Sequence, residues 1–118
     1  MTPKDFRRIA MGLEGVLEGA HMGHPDFRIN NRIFATLHAD KAHGMVKLTP
    51  EQQRRLLDDH PDAFAAESGA WGRAGCTRVT LASVDEETLG EALTHAWQNT
   101  VSQPPPRSKA TSRAAKRR

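Results

Sequence analysis

Three observations place this 118-residue chain in the α+β class. Three stretches combine helix-start signals with apolar residues at helical spacing, short strand-like segments group between them, and the connections are of hairpin length. The expected order is α-β(3)-α-β(2)-α, an antiparallel sheet with helices mainly on one face.

The first helix opens at Thr2-Pro3-Lys4-Asp5, where Thr2 is placed to cap, Pro3 fits the first helical position and Asp5 completes a capping box. Phe6, Ile9, Ala10 and Leu13 then recur on one face, up to about Gly15. Phe27-Arg28-Ile29 and Arg32 to Leu37 flank Asn30-Asn31, two residues that tolerate the positive φ of a tight hairpin turn. A two-residue loop pairs Phe27 with Phe34 and leaves Arg28, Ile33, Ala35 and Leu37 on the opposite face, so both faces of the hairpin carry apolar residues. Met45 to Leu48 follows as a third strand, and its alternation turns Lys47 away from Val46 and Leu48.

Thr49-Pro50-Glu51-Gln52 repeats the helix-start signal for a second helix over residues 50–60, ended by His60-Pro61. Ala63 to Glu67 and Thr77 to Ala82 are the remaining strands. If Val79 and Leu81 face the helices, Arg78 shares the open face with Lys47. A third helix starts at Asp85, with Glu86 and Glu87 at the positive end of its dipole and Leu89, Leu93, Ala96, Trp97 and Val101 as its stripe. The expected core is Phe6, Ile9, Leu13, Leu37, Val46, Leu48, Leu56, Val79, Leu81, Leu89, Leu93 and Trp97.

After Val101, Pro104-Pro105-Pro106 cannot continue a helix, and Arg107 to Arg118 holds no large apolar residue. Residues 1–102 are therefore expected to form a single domain and residues 103–118 a disordered Pro-then-basic tail. Six of the 17 bases, Arg107, Lys109, Arg113, Lys116, Arg117 and Arg118, lie in that tail, leaving 11 bases against 14 acids in the body. The net +3 thus divides into a body of −3 and a tail of +6. Any basic site on the fold must then be a local patch.

Cys76 is the only cysteine, which excludes an internal disulfide and a Cys-based zinc site. No apolar run approaches the length of a membrane span, and the polar start is unlike a signal peptide. A cytoplasmic protein with no membrane partner is expected.

Met22-Gly23-His24-Pro25-Asp26-Phe27-Arg28, Ile33-Phe34-Ala35-Thr36-Leu37, Lys47-Leu48-Thr49-Pro50-Glu51-Gln52-Gln53, Gly69-Ala70-Trp71-Gly72-Arg73 and Ala96-Trp97 carry a resemblance to the MmcQ/YjbR family of small bacterial proteins. It runs collinearly from residue 2 to about residue 100. The resemblance implies an α-β(3)-α-β(2)-α fold similar to type III secretion chaperones. It also implies a DNA-binding role through a double-wing arrangement of hairpins, and it brings no catalytic residue set.

The remaining motifs are weaker. His21-x-x-His24, with Glu18 and Asp26 nearby, has residue types that suit a divalent metal. Gly19, Gly23 and Pro25 break a helix there, and on one strand the two histidines point to opposite faces, so the stretch reads as a polar turn with no metal. Ser68 and Cys76 lack a neighbouring base, and no acid, base and nucleophile set marks an enzyme. Gly69, Gly72 and Gly75 lack the Gly-Lys-Ser/Thr of a phosphate loop, and the segment reads as a wing-like hairpin or loop. Trp71 is either an anchor over the sheet edge or a stacking residue offered to a ligand.

The expected function is non-catalytic DNA binding, non-specific through the tail bases and supported by Lys47, Arg73 and Arg78, without a cofactor. The alternative is a scaffold for a protein or small ligand, or a homodimer, with Phe27, Phe34 and Trp71 as its surface.

Overall fold

The computed structural model describes residues 1–103, so the six tail bases lie outside the described residues. The elements are α1 (Pro3–Met11), β1 (Leu17–His21), β2 (His24–Ile29), β3 (Arg32–Leu37), β4 (His43–Lys47), α2 (Pro50–Asp59), β5 (Phe64–Ala66), α3 (Gly69–Arg73), β6 (Cys76–Thr80) and α4 (Glu86–Val101). The α+β class holds. The sheet has six antiparallel strands in the order β1-β2-β3-β4-β6-β5.

Local chemistry explains the helix starts. Thr2 and Thr49 form reciprocal capping boxes with Asp5 and Gln52, each followed by proline. Asp85 caps α4 by accepting from the Thr88 backbone at 2.7 Å. The first helix stops at Met11, short of the Gly15 limit expected, and Leu13 packs from the following turn.

Two elements were not expected. β1 forms because Met22 and Gly23 both adopt positive φ (51° and 80°), which folds Leu17–His21 back antiparallel on β2. In place of a wing-like loop, Gly69–Arg73 makes a short helix. A side chain at Gly72 would collide with the Glu67 carbonyl, so only glycine lets this helix seat.

The β2–β3 register also departs from simple pairing. A bulge between Phe27 and Arg28 sets Phe27 opposite Ala35, and Arg28 remains opposite Ile33. Phe34 and Ala35 are both fully buried, and Leu37 follows them into the core. The apolar residues expected on two faces are thus gathered on the helix side, with Ile33 left half-buried.

That side holds the core. Phe6 of α1 meets Phe27 at 5.8 Å between ring centroids, and its ring fills the space above Gly44. Val46, Val79, Leu89, Leu93 and Ala96 complete the layer. Nine of the expected core residues are buried; Ile9, Leu13 and Trp97 pack against its margin. Trp97 spends its indole N–H on the Glu14 carbonyl (2.9 Å), tying α4 to the chain leaving α1.

Candidate functional site

The sheet face away from α1 and α4 is where polar chemistry collects. Register places Gly19, Asp26, Thr36, Met45, Arg78 and Ala65 in one row across the strands, with His21 two residues along β1 and Lys47 two residues along β4 beside Cys76. Lys47 and Arg78 therefore share this face, as alternation predicts.

Asp26 is its electrostatic centre. The carboxylate has no solvent exposure, yet it accepts from Arg28 Nε (2.7 Å) and a second Arg28 nitrogen (3.1 Å), and His21 Nδ1 lies 2.8 Å away. Hydrogen bonding from Arg28, more than offsetting burial, holds Asp26 below the usual carboxylate range. The neighbouring strand is tight here: a Cβ at Gly19 would stand 3.0 Å from Asp26 Oδ1.

A second cluster lies across the sheet. Glu67 accepts from Arg78 (3.1 and 3.3 Å) and sits 3.0 Å from His38 Nε2. Asp40 pairs with His43, and that bond first of all, then the Ala42 backbone N–H, pulls its pKa down to about 2. His21 and His24 turn out to face the same way, directly opposite one another across the β1–β2 turn, with ring centroids 6.1 Å apart. Even so, no group of three or more His, Cys, Asp or Glu among the described residues is arranged to hold a metal ion.

Trp71 stands 68% exposed on α3 and forms a shared wall between two concavities. One is a cleft of about 650 Å³, lined by Arg28, Arg32, Lys47, Thr49, Asn99 and Gln103 among others, with no acid in its described lining. The other, about 260 Å³, lies against Met45, Thr36, Ser68 and the His38–Glu67 pair. Cys76 borders both. Burial raises its thiol above the ordinary value despite the nearby Lys47 charge, so it stays protonated at neutral pH.

The candidate residues thus separate. Lys47 and Trp71 meet in the cleft, Arg73 is exposed at the end of α3, and Arg78 is engaged by Glu67. Phe27 and Phe34 do not form a ligand or partner surface: both are core residues without exposure, because the face they share is the one that packs under the helices, where Phe27 meets Phe6. Sequence reasoning missed Arg28 and Arg32 as cleft residues. Their signal, a pair of bases flanking the Asn30-Asn31 turn, was present in the hairpin pattern.

A family model described as YjbR matches residues 11–99. The chain belongs to the YjbR family. No curated protein matches it. Among solved structures, this YjbR chain is similar to the crystal structure of Deinococcus radiodurans protein DR2400, described as a DUF419 domain. The two are 23% identical with a TM-score of 0.72, over 86% of this chain and 80% of that one. At that identity the likeness concerns the fold, which the YjbR domain here shares. No helix among its described residues is long and apolar enough to cross a membrane.

Proposed function

We propose that this YjbR-family chain is a non-catalytic nucleic-acid-binding protein whose affinity comes from two basic parts, a cleft on the fold and the tail that follows it in sequence. The supporting observation is the cleft: Lys47, Arg32 and Arg28, the last paired to the buried Asp26, line it with no acid in the described lining itself, and Gln103, the last described residue, is part of that lining. The six tail bases follow in sequence. Each phosphate neutralised by the cleft or by those bases releases counterions.

The two glutamines of the second helix are engaged within the fold, and its exposed Arg54 and Arg55 stand among Glu51, Asp58 and Asp59. Gln53 uses its amide nitrogen on the Gly72 and Cys76 carbonyls and Thr77 Oγ1, and Gln52 is spent on the cap and on Asn99. Non-specific, charge-driven binding fits this arrangement better than base readout by a helix.

The test is a titration of the full-length chain with DNA over a salt series. Changing the six tail bases to Gln should flatten the log-log slope by several units, at about 0.9 for each phosphate no longer neutralised, and Lys47→Gln by about one. Absence of binding at low salt would remove the reading. The scaffold alternative, with a homodimer as its simplest form, then takes its place, and sedimentation of the full-length chain reports on it. Of that alternative's warrants, the acidic body stands, and the hairpin keeps only half-buried Ile33 as an apolar residue on its open face.

A further inference from the structure

We infer that the cleft takes a single strand and not a duplex, with one unpaired base lodged against Trp71 and its flanking phosphates along Lys47 and Arg28. This rests on the nucleic-acid reading and names the form of nucleic acid that the fold itself selects. Three observations carry it.

First, an indole 68% exposed on a five-residue helix contributes little to the core; the phenylalanines do that work, with Trp97 at its margin. Second, the two concavities that share Trp71 differ in chemistry as the two halves of a nucleotide do. The larger is lined by Lys47, Arg32 and the Asp26-paired Arg28, with no acid in its described lining; the smaller has Met45 and Trp71 as apolar walls and Thr36, Ser68, His21, His38 and Glu67 as polar groups for a base's edge. Third, Trp71 borders both recesses, and stacking on its exposed indole needs a free base face, which paired bases in a duplex offer only at a cost of a few kcal/mol and a single strand offers freely. Aromatic stacking tolerates any base, in keeping with the lack of a readout helix.

The fixed arrangement behind the cleft also fits. Arg28 is held in place by Asp26, whose carboxylate lies beneath it out of solvent, so the guanidinium is oriented before a phosphate arrives. Hydrogen bonding to Asp26 raises the Arg28 pKa further, and the charge is permanent.

Fluorescence anisotropy of the full-length chain tests this with three labelled probes: a short oligothymidylate, an abasic strand of the same length, and a duplex of the same length. Oligothymidylate should bind more tightly than the abasic strand. Trp71→Ala should remove that preference, weakening oligothymidylate by about tenfold or more and leaving the abasic strand unchanged, and Trp71→Phe should restore most of it. Lys47→Gln should weaken both strands alike. An unchanged far-UV spectrum and thermal midpoint for Trp71→Ala verify that the fold persists. Equal loss on both strands, or no loss on either, overturns the role of Trp71. If duplex binds as tightly as oligothymidylate and Trp71→Ala alters neither, the inference fails and nucleic-acid binding survives. If no probe binds at low salt, both fall together.

Discussion

Arg28 holds Asp26, two residues before it on the same strand, through hydrogen bonds of 2.7 and 3.1 Å, and the carboxylate it holds is sealed from solvent. The pair lies beneath the proposed phosphate path, so its integrity bears on both stability and binding. Asp26→Asn keeps the size and removes the charge. It should destabilise the fold by about 1–3 kcal/mol, the worth of hydrogen bonds to a charged group, read as a lower urea midpoint. An unchanged midpoint would show that solvent satisfies Arg28 equally well.

The same carboxylate gives a pH dependence with a definite sign. Because the folded pKa of Asp26 is below the unfolded value, its contribution is fully present above the unfolded value of about 4 and is lost as pH falls through the lower folded value. Urea midpoints should therefore drop on acidification below about pH 4, and Asp26→Asn should show a shallower drop than the parent. Parallel pH curves for the two would assign the acid loss to other carboxylates, Asp40 and Asp85 among them.

Two glycines should respond in opposite directions. Gly72→Ala forces a methyl group onto the Glu67 carbonyl and should cost about 1–3 kcal/mol. Gly90 lies inside α4 with open space where a Cβ would go, and Gly90→Ala should stabilise by about 0.5–1 kcal/mol. Thermal melts of the two variants check this directly.

Leu93 has no exposure and packs α4 onto the sheet. Leu93→Ala should cost about 2–5 kcal/mol, measurable by denaturant unfolding, and a near-neutral result would contradict the packing of that helix.

How much was legible in the sequence follows from what each element depends on. The capped helices could be read locally, because Thr2-Pro3 and Thr49-Pro50 carry their own start signals. β1 could not: Leu17-Glu18-Gly19-Ala20-His21 is mostly exposed, lies at the sheet edge and shows no alternation, so only pairing with β2 defines it. α3 is five residues without helical periodicity, held by the close approach of Gly72 to Glu67 and by the Gln53 amide. The shared face of Lys47 and Arg78 follows from period-two alternation. Capture of Arg78 by Glu67 spans 11 residues of sequence and depends on the β5–β6 register, which no local pattern encodes.

The strand order also has a kinetic consequence. β1 to β4 form a meander of consecutive neighbours, whereas β6 must find β4 across α2, β5 and α3 and insert between β4 and β5. Closing that long loop costs more chain entropy than closing any hairpin before it. The meander is therefore expected to be assembled in the rate-limiting state and β6 to dock after it. Ala35→Gly in β3 should chiefly slow refolding, and Val79→Ala in β6 should chiefly speed unfolding. Stopped-flow chevrons that show the reverse would place the late strand in the nucleus.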